Sequence, residues 1–296
     1  MKFKLFSATS QRATSRRPTS RRPRSRNAFE IAIFTTLTSE RDPIELALDE
    51  SYEKGGFTYG KAPGDQNIYR TGRFGSSHVV IVYLPEGGNT HSAAAAMFTN
   101  QSFPNIRLTL VVGCCEVNRH TYGKTPENIA LGDVLISTQV VHITDAHQRN
   151  WRMVSKRPED VLGRPPVEVR SFLAFIQDTG KRRLLGKRTV TYGEATQKGL
   201  GRTTNTQQPS LRFGRLGSSE HTLGNWRERN QFACENEIIG FETQGAGTWD
   251  FLPTIVVKGA ANYVDDPQNK AWQRHSAMNA AACARAMVEE WTRTVG

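Results

Sequence analysis

A series of short apolar runs rich in β-branched residues, separated by helix-like stretches, constrains this chain more than any other feature. The runs are 29–36 (FEIAIFTT), 78–84 (HVVIVYL), 107–113 (RLTLVVG), 133–141 (DVLISTQVV) and 253–259 (PTIVVKG), with a shorter one at 238–241. Near-continuous hydrophobic strands of this length are covered on both faces, which is the pattern of an α/β fold. Helical spacing over 42–52, 92–100, 165–179 and 272–292 supplies the covering layers, the last two Ala-rich or amphipathic. The expected architecture is a single α/β domain with a twisted, largely parallel sheet flanked by helices. The stretch 180–232, rich in Gly, Arg, Thr and Gln, reads as loop-heavy. In such sheets ligands sit beyond the carboxyl ends of the strands, so the loops after Ile33, Leu84, Gly113, Phe241 and Gly259 are the places to look.

The formal charge of +11 suggests a nucleic-acid partner until its location is considered. Residues 1–27 hold nine basic residues and no acidic one; subtracting nine from eleven leaves +2 for the other 269. The folded part is therefore near neutral, and no nucleic-acid partner is expected. The segment 1–27, with its Thr-Ser-Arg-Arg-Pro repeats, has nothing to bury and is expected to be a disordered basic tail preceding a domain over 28–296. It reads either as a solvated tail or as an Arg/Ser-rich organelle transit segment. No apolar run reaches the roughly 18 residues a membrane span requires. Cys114, Cys115, Cys234 and Cys283 show no metal-ligand spacing. A reducing, intracellular setting follows, cytoplasmic by preference and mitochondrial if the tail is a transit segment.

Several stretches resemble the nucleoside phosphorylase/nucleosidase superfamily, in its fungal form. Leu131-Gly132-Asp133-Val134-Leu135-Ile136-Ser137 is similar to its Leu-Gly-Asp-Val-Val-Val-Ser element. Val256 to Asp265 looks like the strand and loop that end in Cys-Asp-Tyr-Ala-Asp, and Asn269-Lys270-Ala271-Trp272-Gln273 like the Asn-Lys-x-Trp-Gln that follows. Phe103-Pro104-Asn105-Ile106-Arg107 and Gly163-Arg164-Pro165-Pro166 are weaker matches in the right order. The resemblance implies a partly barrel-like mixed sheet and cleavage of the bond between a purine and C1 of ribose. It implies no metal or organic cofactor, phosphate being a possible co-substrate. It also implies a small-molecule substrate, no membrane partner and a possible homo-oligomer. The reaction passes through a ribosyl cation. It needs a polar group on the leaving base, a carboxylate near the ribose hydroxyls, and an oriented water or phosphate.

Carried over position by position, the resemblance makes Glu40 the candidate base for water, although a Glu in the first turn of a helix is also explained by capping. Asn262 stands at the family's acid position, where it can hydrogen-bond a base but not protonate it. The glycine-rich turn survives only as Gly113, and the following Glu116 would repel a phosphate. Thr90 and Ser92 match a hydroxyl-bearing loop, and Ser218 a base-facing one. Phe241 and Glu242 are retained from Phe-Glu-Met-Glu-Ala, but Gln244 replaces the carboxylate that grips the ribose. Asp265 is kept as a loop carboxylate, and Trp226, Trp249 and Phe251 are aromatics available to line a pocket. The altered positions favour hydrolysis over phosphorolysis. They also leave open a relative repurposed for another ester, such as a diphosphate, and a ligand binder without turnover.

Overall fold

The computed structural model describes residues 22–122, 126–143, 162–199, 208–221, 226–265 and 270–295. The expected tail over 1–21, the end of the base-facing loop (222–225) and Asn269 lie outside the described residues. Strand β1 (Ile31–Thr35) runs parallel between β4 (Ser77–Tyr83) and β5 (Leu108–Val117). Beyond β4 the sheet continues antiparallel through β3 (Ile68–Phe74) to the short edge strand β2 (Glu50–Ser51). On the other side it curls through β8 (Ile238–Glu242), β7 (Leu211–Ser219), β6 (Val134–Ile143) and β9 (Thr254–Tyr263). Strand β9 then returns to pair with β5. The nine-stranded sheet thus closes on itself over β5, β8, β7, β6 and β9, giving a mixed, partly barrel-like architecture.

The alternation of side chains along a strand explains why these runs are apolar throughout. Ile31, Ile33, Val79, Ile81, Leu108 and Leu110 face one core, while Ala32, Phe34, Val80, Val82 and Val111 face another. Each face is covered by helices, so neither set of residues has a reason to be polar. Full burial of one such Ile or Phe contributes about 1.5–3 kcal/mol. The first core is covered by α1 (Thr38–Leu46), α3 (Val167–Gln177), α4 (Thr179–Gly199) and the closing helix α7 (Lys270–Val295). The second lies under α2 (Asn89–Ser102) and the single-turn helix α6 (Gly245–Trp249), with α5 (Trp226–Asn236) packed against β8. Among the described residues no helix is long and apolar enough to cross a membrane.

Three local expectations are corrected. The stretch 180–232 is not loop-heavy: it holds α4, β7 and α5. Helix α4 buries Leu185, Thr189, Gly193 and Thr196, a stripe of small and polar residues against α7, so packing overrides weak local propensity. The helix expected over 42–52 starts earlier, at Thr38, and ends at Leu46, and Glu50–Ser51 is an edge strand. Within the tail, Arg22 is partly exposed but held against the domain. Its Nε donates to Glu50 Oε1 at 2.7 Å and its guanidinium stacks 4.2 Å from the centre of the Phe57 ring.

The barrel and the closing helix meet at close quarters. Ser276 Oγ donates to the Ala260 carbonyl at 2.7 Å, and Asn279 Nδ2 donates to that of Gly132 at 2.8 Å. A Cβ on Gly259 would stand 2.0 Å from the Ser276 carbonyl oxygen, a backbone atom that has nowhere to move. Gly259→Ala is expected to destabilise by about 3 kcal/mol in guanidinium unfolding. Gly186→Ala, in an open helical position, should be neutral or stabilise by up to about 1 kcal/mol. Equal midpoints for the two variants would show that the helix does not press on the barrel in this way.

Candidate active site

A cleft of about 260 Å³ opens where β1, β5, β8 and β9 end. Each of these strands delivers part of its wall, as the loop positions read from the sequence predict. Glu40 comes from α1, immediately after β1, and is almost fully buried. Its Oε2 accepts the Leu37 N–H at 3.1 Å, which ties down the start of the helix. Its Oε1 accepts the Cys114 N–H of β5 at 2.8 Å. Glu40 therefore closes the helix terminus and at the same time faces the cleft. Gly113 does not line the cleft, but it makes this possible, because a Cβ there would stand 2.3 Å from Glu40 Oε1.

Gln244 is held at both ends. Its Nε2 donates to Thr36 Oγ1 at 2.6 Å and its Oε1 accepts from Lys258 Nζ. Lys258 projects from β9, is essentially inaccessible, and lines the cleft floor. An ammonium carries three donors. Among the described residues only Gln244 is recorded as taking one of them. Glu242 also lines the cleft, and its carboxylate accepts the N–H groups of Gln244 and Gly245, both at 2.9 Å, capping α6.

Toward the other end, Phe241, Glu116 and Asn262 stand side by side on β8, β5 and β9. Arg229 of α5 covers them and forms an ion pair with Glu116. The charge expected to repel a phosphate is therefore matched by a guanidinium. The walls carry Glu40, Glu116 and Glu242 against Lys258 and Arg229, one carboxylate more than cations. The two cysteines are not thiolate nucleophiles. Burial first, and then the charge of Glu40, holds the Cys114 thiol well above its ordinary range, and Sγ donates to the Gln273 carbonyl at 2.9 Å. Burial likewise pushes Cys115 up. Among the described residues no group of three or more His, Cys, Asp or Glu is placed to hold a metal.

Besides Gly113, four expected contacts do not reach the cleft. Thr90 is exposed, and its backbone N–H donates to Glu220 at 3.0 Å. Ser92 is buried beneath α6, its hydroxyl donating to the Gln244 carbonyl at 2.8 Å, because α2 packs its first turn against Gly247. Ser218 points to the opposite face of β7 from the cleft-lining Ser219, and bonds Asn89 Oδ1 at 2.8 Å. Asp265 pairs with Arg119 at the surface, at 3.0 and 3.1 Å. Of the aromatics, Trp226 and Phe251 are exposed, and Trp249 donates to the Gly163 carbonyl outside the cleft. Conversely, Lys258, Arg229 and Thr36 were not singled out by sequence. A lysine inside the run PTIVVKG was the one available signal.

No protein-family model matches the chain. It is 24% identical over 264 residues to a nucleotide-binding leucine-rich repeat (NLR)-like protein of Hyaloscypha variabilis. The match covers 76% of this chain and only 26% of that relative's length. Among solved structures, it is similar to the 5'-methylthioadenosine/S-adenosylhomocysteine nucleosidase of Helicobacter pylori (TM-score 0.59, 16% identity, 89% of this chain and 99% of that one). The corresponding nucleosidase of Neisseria meningitidis superposes with TM-score 0.60 at 12% identity over 88% of this chain and 98% of that one. Futalosine hydrolase of Helicobacter pylori gives 0.58 at 17% identity over 89% and 98%. With a sheet that closes over β5 to β9, helices on both faces and these likenesses end to end, the chain has the fold of the nucleoside phosphorylase/nucleosidase superfamily.

Proposed function

We propose that the cleft cleaves the N-glycosidic bond of a purine nucleoside, with water rather than phosphate as the acceptor. The observation that carries this reading is Glu40: a buried carboxylate at the cleft wall, aimed by Leu37 and Cys114 N–H bonds yet not saturated by them. A carboxylate offers about four acceptor sites; the Thr36, Leu37 and Cys114 N–H groups take three of them, so one remains for the proton of an attacking water. Asn262 receives the leaving base by hydrogen bonding. The excess of one carboxylate over cations in the walls favours a substrate that becomes positive at the transition state, and disfavours a second anion such as phosphate. In this reading Gln244 and Lys258 take the ribose hydroxyls, the ammonium donating and the amide fixed beside it. The structural neighbours named as nucleosidases support the same chemistry.

A ligand-binding role without turnover is the second reading. It is favoured by the likeness to part of an NLR-like protein and by the amide at 244 in place of a carboxylate.

The deciding measurement is base release by the full chain from adenosine, inosine, guanosine, methylthioadenosine, AMP and ATP, with and without phosphate. Phosphate-independent release is expected from a nucleoside, and Glu40→Gln should lower it by a factor of about 10²–10⁴. Folded protein that releases no base from any of them would exclude catalysis on purine substrates and leave the binding role. Gln244→Glu should raise kcat/KM for ribonucleosides by about tenfold or more, since it returns a negative charge beside the developing cation. An unchanged or lower value would mean that the amide itself is the working group.

A further inference from the structure

The basic segment ahead of β1 carries two copies of Thr-Ser-Arg-Arg-Pro, at 14–18 and 19–23, and the domain holds the last arginine of the second copy. Arg22 Nε donates to Glu50 Oε1 at 2.7 Å, and Nη2 lies 2.6 Å from the same oxygen. Its guanidinium stacks on Phe57. Gly55 permits the approach, since a Cβ there would stand 2.8 Å from Nη2. Glu50, Gly55 and Phe57 thus form a slot for one guanidinium. Five residues later the chain is held again: Asn105 Nδ2 donates to the Asn27 carbonyl at 2.7 Å, and Phe29 is fully buried. Residues 22–27 therefore make a strap with two anchors. Ser25 lies between them and is exposed. It stands at the N-cap of a single 3-10 turn, Arg26–Ala28, yet its hydroxyl makes no capping bond. A serine in that position ordinarily turns its hydroxyl to the helix. This one presents it to solvent.

We propose that Ser25 is a phosphorylation site for a serine/threonine kinase that reads basic peptides, and that the slot holding Arg22 guards it. Such kinases bind a guanidinium three residues ahead of the acceptor by pairing it with carboxylates of their own. Arg22 is that residue for Ser25, and Arg21 and Arg24 add charge on either side of it. Glu50 and Phe57 occupy the same guanidinium that a kinase needs, so the docked strap and the kinase-bound strap exclude each other. The side chains of Arg22 and Glu50 are 34% and 29% exposed, and ion pairs at that exposure are weak enough to open. In the transfer, the bond between Ser25 Oγ and the γ-phosphorus of a nucleoside triphosphate forms as the bond to the bridging oxygen breaks. The hydroxyl proton passes to the kinase's base and the nucleoside diphosphate leaves. The product carries about two negative charges three residues from Arg22 and beside Arg24 and Arg26. It competes with Glu50 for the guanidinium and keeps the strap off the slot. The slot lies at the end of the sheet away from the cleft. Glu50 pairs with Arg73 of β3, and Arg73 with His78 at the start of β4, which runs parallel to β1. Phosphorylation thus releases the chain ahead of Ser25 from this anchor, independently of the cleft and its chemistry.

The test incubates the full chain and its Glu50→Gln variant with magnesium, ATP and the catalytic domain of calcium/calmodulin-dependent kinase II, which needs a single arginine at this spacing. Each site is followed over time by peptide mass spectrometry. Phosphate is expected on Ser25 in both proteins, with an initial rate about threefold or more higher in Glu50→Gln. Thr19 and Ser20, whose arginines at the same spacing are Arg16 and Arg17, are the internal control and should react at equal rates in the two proteins. Phe57→Ala removes the stack while keeping Glu50 beside Arg73, and should raise the Ser25 rate in the same direction. Hydrogen exchange over 50–57 should quicken after phosphorylation, to the level of unmodified Arg22→Ala. Phosphate on Thr19 or Ser20 with none on Ser25 in any of these proteins overturns the assignment, and so does a lack of phosphate at every site. Equal Ser25 rates in the full chain, Glu50→Gln and Phe57→Ala overturn the guarding role of the slot.

Discussion

The parallel pairing of β5 with β9, nine residues long from Thr109–Thr254 to Val117–Tyr263, is the constraint on which the rest of the structure depends. It closes the barrel, and it brings two lines of side chains to one opening. Gly113 lies opposite Lys258, and Glu116 opposite Asn262. The other edge of β5 is shared: its first half pairs with β1 and its last two residues with β8. One strand therefore borders β1, β8 and β9, three of the strands whose ends open onto the cleft. At the opening β5 is paired on both edges, Glu116 and Val117 having partners on β8 and on β9. Groups carried on strands of this kind hold position better than groups on loops.

Glu40 shows how tightly local and tertiary demands are joined. The same carboxylate closes the first turn of α1 and accepts from the backbone of β5, and the missing Cβ of Gly113 leaves it room. Lys258 and Gln244 form a second joint. An ammonium with essentially no exposure is costly unless it is compensated, and here the compensation is shared among an amide oxygen in contact and the carboxylates around the cleft. The site is therefore not a plain apolar pocket. It is a small polar chamber whose charges nearly cancel, with a slight negative excess.

The strands were legible because burial on both faces leaves no freedom for polar residues: HVVIVYL and PTIVVKG have one plausible environment. Helix α4 was not, because its buried stripe of Leu185, Thr189, Gly193 and Thr196 lacks apolar contrast. The cleft followed the same division. Glu40, Phe241, Glu242, Gln244 and Asn262 lie at strand ends, where topology alone directs attention, and all five line the opening. Thr90, Ser92 and Ser218 matched a motif but depend on which way a helix turn or a strand face points, a one-residue question that spacing does not answer. Arg229 was invisible because it arrives from a helix more than a hundred residues away from the Glu116 it pairs with.

Residues 116, 229, 244 and 258 also bear on how this chamber differs from one that simply binds ribose with a carboxylate. A Glu at 244 beside Lys258 would make a closed ion pair on the cleft floor. The Gln instead leaves the ammonium formally unmatched at short range, while Glu116 brings a new carboxylate to the far end and Arg229 matches it. The cleft thus carries a lone cation at the Gln244 end and a matched ion pair at the Asn262 end, three carboxylates against two cations in all.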